Sequence, residues 1–157
     1  MGAYFKQEQI MSTKVKNAIS TDVAITELTT FLKRHLAKDF KRGKLTEKVI
    51  KDDYLLSIEA IEDGNLSFDE NGNPKYTLYN PLFASAEDKS LVVKEVEFRQ
   101  RIKGADRILL MDGIDPKKDL GTYAIKTVSY ICKLSITEVK ELEKDDFDTL
   151  NQICSVF

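Results

Sequence analysis

From Ser20 onward, apolar residues recur at helical spacing: Ile25, Leu28, Leu32, Leu36 and Phe40. This predicts an amphipathic helix entered through Ser20, Thr21 and Asp22, which are capping residue types. Its last turn carries Lys38, Lys41 and Arg42, which suit the negative end of a helix dipole, and Gly43 is placed to stop it. Residues 46–62 carry two periods. Tyr54, Leu56, Ile58 and Ala60 alternate as in a strand, whereas Val49, Ile50, Tyr54, Ile58 and Ile61 follow a helix over the longer window. The helical reading is preferred, with Gly64 closing it.

The pattern then changes. Leu66 to Phe68 and Tyr76 to Tyr79 flank the run Asp69 to Pro74. Asn71 and Gly72 supply the positive φ angles of a tight turn, and Pro74 restricts its exit, so a β-hairpin is predicted. Pro81 is expected to end the second strand. A polar loop precedes a third strand over about Leu91 to Ile102, with Val92, Val96 and Phe98 among its apolar positions. Beyond it the periodicity is helical. A short helix is predicted over about 104–111. Asp115 and Pro116 are an N-cap and first-turn proline opening a longer helix with Leu120, Ala124, Thr127, Ile131 and Leu134 on one face. Ser135 and Glu138 form a capping-box pattern. Asp145 or Asp146 is expected to cap the last helix, which aligns Phe147, Leu150, Cys154 and Phe157.

The class that follows is α+β: an N-terminal helix, a small antiparallel hairpin or three-stranded sheet, and a C-terminal bundle of short helices. The 157 residues suit one domain, helical over 21–62, β over 64–102 and helical again over 104–157, with 1–20 read as a weakly ordered tail.

Charge narrows the function. Twenty-four basic and 26 acidic side chains give a formal charge of −2, which argues against an electrostatically driven nucleic-acid binder. No run reaches the ~18 consecutive apolar residues of a membrane span. The first residues lack the basic-then-apolar order of a signal peptide, so a cytoplasmic protein is expected. In that compartment Cys132 and Cys154 read as small buried hydrophobes rather than a disulfide.

Candidate chemistry deflates residue by residue. His35, the only histidine, lies in a basic helical stretch without a nucleophile motif. Asp112, Asp115 and Asp119 read as turn and cap residues, and Asp145, Asp146 and Asp148 as acids of a first helical turn, not as metal ligands. The Asp69 to Asn73 run resembles a piece of a calcium loop, but Leu78 stands where that loop needs Glu. No catalytic residue, cofactor or metal is expected. Arg99, Arg101, Lys103 and Arg107 form a local basic patch suited to an acidic protein partner.

Three blocks carry a family resemblance. The first runs from Gly64 through Leu66, Phe68, Gly72, Tyr76 and Leu78 to Pro81. The second is Val93, Val96, Phe98 and Arg99, leading to Gly104, Ala105 and Asp106. The third comprises Ile131, Leu134, Glu138, Val139, Leu142, Asp146, Phe147, Leu150 and Phe157. In order and spacing, residues 60–157 resemble the tail assembly chaperones of long-tailed bacteriophages. One departure is Ile102 and Lys103, where such chaperones often carry Pro and Thr. The resemblance implies a non-enzymatic factor of the infected cytoplasm. It would bind the tape measure protein, assist polymerisation of the tail tube protein, and be absent from the finished tail. Self-association into a coat or ring would be compatible. The competing expectation is a structural subunit of a tail or similar particle, such as a tube, adaptor or baseplate piece. The expected client contacts are the exposed parts of Ile25, Leu28 and Leu32, rimmed by Arg99, Arg101 and Arg107.

Overall fold

The computed structural model describes residues 19–85, 87–115 and 117–157. The expected tail therefore lies almost wholly outside the described residues, as does Pro116. The fold is α+β, with N-terminal helices, a three-stranded antiparallel sheet and short C-terminal helices. The chain divides into two compact units, one ending at Ser67 and the other running from Phe68 to Phe157.

In the N-terminal unit, α1 (Thr21–His35) starts where the capping residues predict, and the Ser20 hydroxyl accepts from the Val23 amide at 3.4 Å. Its inward face is Ala24, Ile25, Leu28, Phe31 and Leu32, all buried. The helix does not run on to Phe40. Leu36 leaves helical geometry at φ −120°, and a separate turn, α2 (Ala37–Lys41), follows. That break leaves the Phe40 ring beside Lys33, whose Nζ stands 5.7 Å from the ring centroid. The ambiguous stretch is helical but interrupted. α3 (Glu47–Asp53) is capped by the Thr46 hydroxyl, Tyr54 breaks the helix at φ −121°, and α4 (Leu55–Glu62) follows. Gly64 then takes φ +78°, a left-handed value that favours glycine. α1 packs on α4, and their ends are tied by the Ile19 amide and the Thr21 hydroxyl, both donating to Glu62.

The sheet order is β1 (Leu66–Phe68), β2 (Pro74–Phe83), β3 (Leu91–Glu97). The Asp69 carboxylate organises the β1–β2 turn by accepting from the amides of Asn71 and Asn73 at 2.8 and 2.9 Å. Gly72 has φ +79° but Asn71 has no positive φ, so this is an Asx-type turn rather than the expected two-residue one. Pro81 does not end β2. The ladder with β3 slips between Thr77 and Leu82, so Pro81 lies in a stretch where no ladder donor is needed. β3 ends at Glu97, short of the expected Ile102, because the Arg99 amide leaves the sheet and donates to Ile131 O at 2.8 Å.

The C-terminal helices are α5 (Gly104–Met111), α6 (Leu120–Cys132), α7 (Ile136–Glu141) and α8 (Lys144–Cys154). The Ser135–Glu138 capping box forms reciprocally at 2.9 and 3.0 Å. Two cap expectations shift. α6 starts at Leu120, after a turn in which Asp115 accepts from Lys117 and Asp119, and the core face of α6 is Val128, Ile131 and Cys132. Leu120 points outward. The N-cap position of α8 is Glu143, without a side-chain cap bond, and Asp146 does something else.

Asp146 is fully buried. Its carboxylate accepts from the Tyr76 hydroxyl at 2.7 Å, the Tyr79 amide at 2.9 Å and the Asn80 amide at 3.0 Å. Tyr79 and Asn80 lie in the irregular stretch of β2 between the two registers. One carboxylate thus holds α8 to the sheet and satisfies the donors freed by the slip. Among the described residues no buried side-chain nitrogen or oxygen lacks a partner.

Cys132 and Cys154, at the ends of α6 and α8, are free thiols whose sulfurs stand 3.5 Å apart. Burial, and then the contact with Cys132, pushes the Cys154 thiol well above its ordinary range. Both thiols are buried, so both should resist maleimide at neutral pH and react in urea. Mass spectrometry of native and denatured samples checks this; rapid native labelling of either would contradict the packing.

Candidate protein-binding surface

The client contacts expected from sequence fall in both units. Ile25, Leu28 and Leu32 are 7%, 1% and 0% exposed, so they are core of the N-terminal unit and not a face for a client. A stripe that packs inward and one that binds a partner have the same period, and packing has taken this one. The three arginines separate into two clefts of the C-terminal unit.

The first cleft is a groove of about 420 Å³ where α5, α6 and α8 meet, with Leu110, Leu120, Tyr123 and Phe157 on its apolar walls. Arg107 stands at its rim, its guanidinium donating to Phe157 O at 3.0 Å. Beside it, α5 turns more apolar surface outward than inward. Leu110 is buried, yet Ile108 and Leu109 are 72% and 66% exposed. Met111 and Leu120 are exposed as well, Leu120 at 66% while also lining the groove. Burying such a side chain contributes roughly 1.5–3 kcal/mol, so several of them left in water on and next to one short helix point to a binding face.

The second cleft, about 710 Å³, is polar. Arg99 and Arg101 enter it from the segment after β3, and Tyr130 and Lys133 from the end of α6. Arg99 lies over the Tyr130 ring, 4.2 Å from its centroid, and its Nε donates to Tyr130 O at 2.7 Å. Asp106 braces this arrangement. Its carboxylate accepts from the Lys103 amide at 2.8 Å at the start of α5, and that bond, followed by the Tyr130 hydroxyl, holds its carboxyl below the usual range. The same hydrogen bond, ahead of burial, pushes the Tyr130 phenol up. Lys133 ends α6 in the left-handed conformation at φ +54°, which costs a non-glycine residue about 1 kcal/mol. Phe98 and Phe157 stack with centroids 6.1 Å apart, giving one ring to each cleft.

Sequence reasoning found Arg99, Arg101 and Arg107 but missed Tyr130 and Lys133, which lie some thirty positions away with no glycine to mark the helix end. The outward face of α5 was legible in principle. Ile108, Leu109, Leu110 and Met111 are consecutive, and a short helix cannot turn four consecutive residues to one side.

Among the described residues no group of three or more His, Cys, Asp or Glu is arranged to hold a metal ion. No described helix is long and apolar enough to cross a membrane. Compared with protein-family models, curated proteins and solved structures, the chain matches none.

Proposed function

We propose that this chain is a binding protein without catalytic activity, an assembly chaperone of the kind its sequence resembles in tailed phages. It acts in the host cytoplasm on the tape measure protein and assists tail tube subunits as they polymerise around it. The observation that carries this reading is the outward apolar face of Ile108, Leu109, Met111 and Leu120 beside the groove rimmed by Arg107. A tape measure protein is a long helical chain with apolar stripes. An apolar face with a polar rim covers such a stripe through modest contacts that still release. Self-association is supported separately: Phe83 and Leu91 are cross-strand partners of β2 and β3, and both are half exposed.

The reading is tested by tagging the chain in co-expressing or infected cells and identifying captured proteins by mass spectrometry. A large helical tape-measure-like protein as main partner, with no copy of this chain in purified particles, is the expected result. Stoichiometric presence in finished particles would make it a structural subunit instead.

A further inference from the structure

We infer that the second cleft recognises an acidic segment of a protein partner, with carboxylates spaced along an otherwise neutral stretch. The inference rests on the protein-binding reading above, but not on the apolar face of α5.

Two acids line the cleft: Asp69, whose carboxylate accepts from its own turn amides, and Glu97, which lies opposite Lys75 in the β2–β3 register. Lys75 itself pairs with Glu95 at 3.3 Å. Among the described residues Arg101 and Lys133 have no ion-pair partner, while Arg99 is held over the Tyr130 ring by its Nε bond. Three cations therefore converge on one cleft, one of them pre-oriented. Lys133 keeps a strained backbone conformation at the cleft where glycine would be free of strain. A volume of about 710 Å³ is far more than one carboxylate needs and fits several residues.

Nucleic acid fits less well. The face of Tyr130 that would stack a base is covered by Arg99, and Asp69 and Glu97 on the walls repel a continuous polyanion. Spaced carboxylates can seat between those acids, on Arg99, Arg101 and Lys133.

The test is fluorescence anisotropy of the full chain with a labelled peptide alternating Glu and Ala, against the same peptide with Gln for Glu. The Glu peptide should bind preferentially and weaken with salt. Arg101→Glu with Lys133→Glu should lower its affinity about tenfold, and Lys133→Gly, which relieves strain and keeps the fold, by a few-fold. Lys117→Glu with Lys118→Glu, an equal charge change outside the cleft, should leave binding unchanged. Equal binding of the Gln peptide, or an equal loss from Lys117→Glu with Lys118→Glu, would overturn the proposal. So would displacement by inorganic phosphate at the peptide's concentration, or tighter binding of a short single-stranded DNA abolished by the same variants. Ile108→Asp with Leu109→Asp should retain peptide binding. If those variants lose the client while the cleft variants bind the Glu peptide as wild type does, the acidic-segment proposal falls and the chaperone reading stands.

Discussion

Replacing Asp146 with Ala should destabilise the C-terminal unit by about 3–5 kcal/mol. The substitution removes one acceptor from three donors at once: the Tyr76 hydroxyl and the amides of Tyr79 and Asn80. Tyr76 is fully buried, so solvent cannot replace the lost bond without opening the core. The two amides lie where β2 slips register, so no strand partner takes them up either. A total stability of roughly 5–15 kcal/mol makes such a loss visible as a large fall in urea midpoint, or as failure to fold. Asp146→Asn should fall between, because the amide keeps an acceptor but turns donors toward donors. The chain has no Trp, so circular dichroism is the appropriate probe. The hydroxyl adds a pH arm. Burial first, and then the bond to Asp146, pushes the Tyr76 phenol up. Its contribution is complete below the unfolded tyrosine value of about 10 and declines as pH rises through the folded value, because only the unfolded chain loses the proton. A loss under about 1 kcal/mol in Asp146→Ala would contradict this account of how α8 is held.

The second large effect concerns the N-terminal unit. Leu28→Asp with Leu32→Asp places two carboxylates at positions 1% and 0% exposed, on the apolar inward face of α1. Each uncompensated burial costs several kcal/mol, so the unit should unfold, with loss of helical ellipticity at 222 nm. A folded double variant that had merely lost its client would show that α1 is an interface after all. The contrast is Ile108→Asp with Leu109→Asp, whose outward positions predict changes within about 0.5 kcal/mol per site.

Much of this architecture was legible because its signals are local. Ser20, Thr46, Ser135 and Glu138 cap helices through bonds spanning a few residues. The helix, sheet and helix order followed from hydrophobic period and turn residues. What was not legible depends on distant partners. Asp146 looks like any acid in a first helical turn, and only the arrival of β2 makes it a buried acceptor. The breaks at Leu36 and Tyr54 carry no Gly or Pro, and periodicity runs straight through them. Pro81 ends strands that need its missing donor, but the register slip removes that need. The site was half legible: Arg99 and Arg101 stand together in sequence, whereas Tyr130 and Lys133 join them only through the fold.

The central claim is that this chain works by covering apolar surface of another protein with the outward face of α5 and the start of α6. Its most direct test is the solubility of a co-expressed tape measure protein, with wild type and with Ile108→Asp plus Leu109→Asp, both shown to be folded by circular dichroism. The account predicts that wild type keeps the client in the soluble fraction and that the double variant leaves it as insoluble as expression alone. Equal protection by the two proteins would contradict it.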